Sequence, residues 1–227
     1  MSDLPAILLT LKLALTTSAI LMIFGIPLAW WLARPSHNKF KKHFKPLIEA
    51  VVALPLVLPP TVLGFYLLIL FSPDGWLGAN WIKITGTSLA FSFSGLVIAS
   101  LLYSLPFVVQ PLQSTFSNIS EQLLEVSQSL GTNKWHKISR VILPLSKTGL
   151  ISAFSLGFAH TLGEFGVVLM IGGNIPDETR VVSIAIYDHV ETLQFQNAHQ
   201  LSFILIVFSL TLLTILYRSK NNRVGFN

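Results

Sequence analysis

Residues 125–144 read EVSQSLGTNKWHKISRVILP, a polar and basic island between two long apolar runs. Just upstream, Asn118 and Glu121 have the spacing of a capping box with Asn in the hydroxyl position. Ile119, Leu123, Val126 and Leu130 recur at helical spacing. Gly131 falls where a left-handed glycine closes a helix. Thr132 can cap a second helix over residues 133–143, which Pro144 ends. The pattern predicts a helix–turn–helix inside a loop. Its apolar face needs a cover, either the protein's own helices or a partner.

Outward from this island the composition is that of a membrane protein. The chain has 227 residues, 52% hydrophobic and 11% charged, with a mean hydropathy of +0.67. A soluble domain carries about 25% charged residues. One integral membrane domain over residues 1–227 is expected. The absence of cysteine excludes a disulfide framework and a thiolate metal site. The net charge of +5 is better explained by basic cytoplasmic loops than by nucleic-acid binding. The N-terminus lacks a basic n-region and a small-residue cleavage site, so no cleaved signal peptide is expected.

A spanning helix needs roughly 20 mostly apolar residues. Segments 6–33, 47–71, 87–112, 149–171 and 198–217 qualify, which leaves the island in a loop over 113–148. Arg34, Lys39, Lys41, Lys42 and Lys45 follow the first segment. Lys134, Lys137, Arg140 and Lys147 lie in the 113–148 loop, and Arg218, Lys220 and Arg223 follow the fifth segment. The alternate loops hold only Lys83 and Arg180, among acidic residues. The positive-inside rule then puts the N-terminus outside and the C-terminus in the cytoplasm, which requires an odd number of spans. Residues 172–197 form an outside segment with turn chemistry at Gly172-Gly173-Asn174 and Pro176-Asp177. The apolar run 181–187 is too short to span, and a short helix on the outer face is expected there.

Glu125, Gly131, Leu143 and Pro144 match in register the EAA loop of ABC-importer permeases: Glu-Ala-Ala, three residues, Gly, nine residues, Ile, one residue, Leu-Pro. Val126 and Ser127 replace the two alanines, and Val141 the isoleucine. In that family the loop is a cytoplasmic helix pair that docks on an ATPase subunit. The stretches 54–64 (LPLVLPPTVLG), 162–166 (LGEFG) and 175–180 (IPDETR) resemble the permease subunits of bacterial molybdate ABC transporters, and the likeness runs over about residues 6–217. Sulfate permeases are similar and share the proline-rich stretch. The resemblance implies an all-α polytopic bundle of the type I ABC-importer permease fold, with five spans. It implies an ATPase-docking set of Glu125, Val126, Ser127, Leu130, Gly131, Val141, Leu143 and Pro144. It also implies a translocation path or gate at Pro55, Pro59, Pro60, Thr61, Gly64, Gly163, Glu164, Phe165 and Gly166.

The implied machine is a homodimer of this chain in the bacterial inner membrane, above two ATPase subunits. An extracytoplasmic binding protein, periplasmic or lipid-anchored, delivers molybdate. The sequence has no GxxxxGK[ST] phosphate loop, so the chain is expected to be no enzyme and to bind no cofactor, with ATP and Mg on the partner ATPase. The same machine importing sulfate or tungstate stays open. So do two other classes: a secondary transporter coupled to protons through Glu164 and His160, and a membrane scaffold.

Single residues carry further expectations. Pro55, Pro59 and Pro60 each remove a backbone donor, giving either a fixed kink or a gate beside the pore. Glu164, costly in lipid, is expected to accept hydrogen bonds from neighbouring backbone or hydroxyls. Lys12 either snorkels to the interface or attracts an entering anion. Glu49 is expected to pair with Lys45 or to lie at the interface. No buried Arg or Lys cluster is available to hold a dianion, so a weak path lined by Thr10, Thr16, Thr17, Ser18 and Thr61 is expected, with affinity in the binding protein.

Overall fold

The computed structural model describes residues 3–35, 39–129 and 134–221. Helix α1 (Leu4–Ala33) has Pro5 in its first turn, where the missing N–H is no loss. Pro35 ends it by holding Arg34 extended, with ψ 137°. Then come α2 (Lys39–Ala53), a 3-10 turn (Leu54–Leu56), α3 (Pro60–Phe71), α4 (Trp76–Thr85) and α5 (Phe93–Ser117). The chain continues with α6 (Glu121–Ser129), α7 (Lys134–Lys137), a π turn (Ile138–Ile142) and α8 (Leu143–Leu162). It closes with α9 (Gly166–Gly172), α10 (Val182–Glu191) and α11 (Phe195–Asn221). Among the described residues, Leu4–Ala33, Phe93–Ser117, Ile138–Leu162 and Phe195–Ile215 are long and apolar enough to cross a membrane. The pair His43–Leu56 and Pro60–Phe71 makes a fifth span only as a unit bent by 108°.

Helix α5 is the centre of the bundle. Leu96, Ala99, Val108, Val109 and Leu112 on it are fully buried or nearly so. Helix α1 lays Leu13, Ala14, Thr17, Ser18, Leu21, Gly25 and Ala29 against its neighbours. Helix α8 approaches α5 at glycines: a Cβ on Gly157 would stand 2.5 Å from Val108 Cγ2, and one on Gly149 2.0 Å from Thr115 Oγ1. Without a hydrophobic drive between helices in lipid, such close backbone contact supplies the packing energy.

The basic residues do more than mark loops. Lys45 Nζ donates to the carbonyls of Leu32 (3.0 Å) and Arg34, at the C-terminus of α1. The last carbonyls of a helix have no intrahelical partners and carry the negative end of the macrodipole, so a cation there is favoured. Glu49 instead accepts from Gln113 Nε2 of α5 at 2.7 Å. The expected Lys45–Glu49 pair is thus replaced by two separate cross-helix ties.

Three other expectations are corrected. Asn118 is the C-cap of α5 (φ −78°, ψ −6°) and α6 starts only at Glu121, so the two residues form no capping box. Pro144 does not end a helix: α7, the π turn and α8 run on from residue 134 to 162. Leu143 N donates to Ile138 O across the widened turn, and Pro144 falls in the first turn of α8, where its ring is tolerated. The fourth apolar segment, expected over 149–171, breaks after Leu162 and resumes as α9. Gly131 and Thr132, expected as cap residues, lie outside the described residues, as does Leu130.

At the end of the bundle away from Arg34, a helix does form near 181–187, and α10 is tied in closely. Thr10 Oγ1 accepts from Val182 N at 2.8 Å while donating to Ala6 O. Asp3 pairs with His189 at 3.1 Å. Arg180 and Asn174 both reach Asp188, at 2.8 and 3.0 Å. Thr179 Oγ1 donates to Gly172 O at 2.6 Å, closing the IPDETR turn.

Candidate functional site

Two breaks in the helices face each other. In the first, Val57 N and Leu58 N both donate to Leu54 O, and Pro59 turns the chain with φ −54°, ψ 136°. A residue before proline is driven out of the α region, so Pro59-Pro60 enforces the bend. Pro60 then opens α3. In the second, Gly163 ends α8 at φ −90°, ψ 0°, and Phe165 (φ −128°, ψ −59°) leads into α9.

Helices α3 and α9 then approach closely at two glycines. A Cβ on Gly64 would lie 2.7 Å from Met170 Cβ, and one on Gly166 2.7 Å from Pro60 Cβ. Leu67 and Phe71 of α3 bury with Val167, Val168 and Ile171 of α9.

Between the breaks lies a cavity of about 630 Å³. Its wall brings together Pro60, Thr61, Gly163, Glu164, Phe165 and Gly166 from the expected path, with Tyr103 and His160 added by α5 and α8. Gly64 sits in the adjoining α3–α9 contact. Pro55 and Pro59 stay at the bend, off the cavity wall. Irregular backbone at membrane depth is tolerated where protein or a cavity covers it. The second break lies on the cavity wall, while at the first Leu54, Leu56 and Val57 are 48%, 48% and 82% exposed in this single chain.

Glu164 is 4% exposed. Ser100 is the hydroxyl facing it, yet neither carboxyl oxygen nor Ser100 Oγ makes a hydrogen bond of normal geometry. The bonds that do form at this residue are to its backbone: Ser183 Oγ donates to the Glu164 carbonyl at 2.6 Å, and Glu164 N donates to Thr161 O at 3.4 Å. The expected side-chain satisfaction of Glu164 is therefore not found among the described residues. His160 is turned elsewhere: Nδ1 is 2.9 Å from Ser104 Oγ, and the ring stacks on Phe107 at 3.7 Å. No hydrogen bond joins His160 to Glu164, because the helix that would align them ends at Leu162.

Of the expected hydroxyl path, Thr61 alone lies on the cavity wall. Thr10 is spent on α10, and Thr17 and Ser18 are fully buried between helices; Thr16 is half-buried on α1. Lys12 is exposed, with Nζ 4.5 Å over the Phe93 ring. Tyr103 escaped the sequence reading because an aromatic in an apolar run looks like core. The stacked His160 carried more signal, an ionisable group in a spanning segment.

The second site is at the end of the bundle that carries Arg34. Ile119 and Leu124 bury against the bundle with Ile142, while Leu123 and Val126 of α6 are 45% and 59% exposed. Glu125, Leu143 and Pro144 are exposed too, and Val141 is half-buried. Ser127 is in α6. A groove of about 630 Å³ opens beside α6, lined by Ser120, Leu123, Leu145 and Thr148 among others. The apolar face of α6 expected from periodicity is thus divided, half against the chain's own helices and half outward. Arg34 entered the sequence reading only as a loop charge, and it lies behind the exposed face of α6 rather than on it. It donates to the carbonyls of Phe116 and Ile119, both at 3.1 Å. Burial lowers its guanidinium from the ordinary value, opposed by Glu121. An Arg directly before a helix-ending proline was the available signal.

The matches to known proteins agree with this arrangement. Over 225 residues the chain is 51% identical to the molybdenum transport system permease protein of Azotobacter vinelandii, covering 99% of this chain and 97% of that one. It is 32% identical to a probable sulfate transport system permease protein of Chlorella vulgaris, covering 92% of this chain and 77% of that one. A bacterial alginate ABC transporter, solved with its pentasaccharide-bound periplasmic protein, has the same fold. The TM-score is 0.74 at 17% identity, covering 95% of this chain and 78% of that chain. The family model for binding-protein-dependent transport system inner membrane components matches residues 25–222, and the chain belongs to that family.

Proposed function

We propose that this chain is the membrane-spanning permease subunit of an ABC importer for molybdate. The observation that carries the proposal is the 51% identity, over 99% of the chain, to a molybdenum transport permease. The substrate is a tetrahedral dianion. The cavity between the two breaks is its path through this chain, and its described lining holds no Lys or Arg. A pore that held the dianion tightly would release it slowly, so affinity resides in an extracytoplasmic binding protein.

Two copies form the pore, and each offers α6 to one of two ATPase subunits that hold ATP and Mg. The outward-facing Leu123 and Val126 on α6, with Leu143 and Leu145 nearby, supply the apolar part of that contact. Charge sets the orientation. On this reading the basic loops and α6 face the cytoplasm, and the N-terminus, tied to α10 by Asp3 and His189, lies on the opposite, outer side. ATP binding draws the docking helices together and opens the pore outward; hydrolysis resets it.

Sulfate is the second reading, favoured by the sulfate-permease relative. Uptake at low external molybdate, in cells lacking this chain and its redundant transporters, separates the two. Uptake restored by the gene and competed by tungstate but little by sulfate is expected. Strong sulfate competition changes the cargo, and no defect for any oxyanion sinks the proposal.

A further inference from the structure

One side chain ties together the end of the bundle next to α6. Arg34, the C-cap of α1, sends one guanidinium nitrogen to the Phe116 carbonyl and the other to the Ile119 carbonyl. Phe116 is in the last turn of α5, and Ile119 is in the link to α6. The guanidinium also lies 4.3 Å over the Trp30 ring, and Trp30 meets Phe116 edge-on at 5.3 Å. Glu121, the first residue of α6, is within its electrostatic reach. One residue at the end of α1 thus holds the end of α5 and the link that leads into α6. Among the described residues, Ile119 of the link and Leu124 of α6 bury against the bundle, while Leu123 and Val126 are exposed.

Helix α1 is fastened at its other end as well, by Thr10 to Val182 N and by Asp3 to His189. Thirty residues of helix span about 45 Å. A rod tied at both ends carries a displacement from one to the other, and α6 and α10 are the elements at its two ends.

We propose that Arg34 is the positioning residue that couples α6 to α1, so that movement of α6 on the ATPase reaches α10 at the opposite end. This inference rests on the reading of α6 as the ATPase-docking element. Arginine suits the task because its planar fork reaches two carbonyls at once and stacks on an indole, which a lysine ammonium cannot do.

The test uses the complete transporter in proteoliposomes: this chain, its ATPase and its binding protein. Arg34→Met keeps part of the stem packing and removes the fork; Arg34→Lys keeps the charge. Lys45→Met removes the other cap, which donates to the Leu32 and Arg34 carbonyls and lies 5.6 Å over the Trp31 ring, without reaching α5 or the link. Expected are normal co-purification of the ATPase and normal basal hydrolysis with Arg34→Met. Stimulation of hydrolysis by the loaded binding protein, and oxyanion transported per ATP, should fall about tenfold, within the range of ordinary coupling effects. Arg34→Lys should fall between, and Lys45→Met should match the wild type per assembled complex. Wild-type stimulation in Arg34→Met, or losses in Arg34→Met and Lys45→Met that only follow assembly, would overturn the inference. If the wild-type chain fails to bind the ATPase at all, the docking reading itself is wrong and the inference goes with it.

Discussion

Gly64 and Gly166 show how much the candidate path depends on missing side chains. Each lets α3 and α9 approach to a separation at which an added Cβ would stand 2.7 Å from a neighbour's Cβ. Gly64→Ala or Gly166→Ala should therefore lower stability by about 1–3 kcal/mol through overpacking, read as an earlier thermal transition of the detergent-purified protein. An unchanged transition in both would mean that the helices are not so closely apposed. Thr10 makes the opposite point. Thr10→Val removes the acceptor for Val182 N in a buried contact, and the orphaned N–H should cost about 1–3 kcal/mol. A Thr10→Ser variant, keeping the oxygen, should recover most of that loss. Equal losses in both would assign the effect to packing instead.

Among the elements, α6 was the most legible in sequence and α3 with α9 the least. The spacing of Glu125 to Pro144 matched the EAA pattern and predicted two helices, and helices form on both sides of residues 130–133. Periodicity could not say which apolar residues face outward, because that depends on how Arg34 holds the Phe116 and Ile119 carbonyls just before the helix. Val126→Glu should change the stability of the isolated chain by no more than about 0.5 kcal/mol, as an exposed substitution does. It should weaken ATPase retention about tenfold or more if Val126 is at the centre of the contact. Full retention would move the docking surface elsewhere. The proline stretch 54–60 and the LGEFG stretch were each legible as special, but their meeting was not. A bend of 108° and a break at Gly163 join residues about a hundred positions apart, and no local pattern encodes that pairing. The same reason defeated the expected satisfaction of Glu164: which hydroxyls surround it is set by α5 and α10, not by its own helix.

For the whole molecule, the fold class followed from composition and hydropathy, since a chain with so few charges has few ways to be stable outside lipid. Five apolar segments and their charge asymmetry gave the expectation of five spans and a direction; among the described residues four helices are long enough to cross, and a fifth span exists only as the bent pair. Those segments could not distinguish a pump driven by ATP from one driven by a proton gradient; the relatives make that distinction. The central claim, an ATP-driven permease, is tested most directly by transport in proteoliposomes holding this chain and its ATPase, with the molybdate-loaded binding protein outside and a controlled pH gradient. Molybdate should accumulate only when ATP is inside and the binding protein is present, and collapsing the pH gradient should leave the rate unchanged. Accumulation without ATP, abolished by collapsing the gradient, would contradict the claim and return Glu164 and His160 to the role of a proton relay.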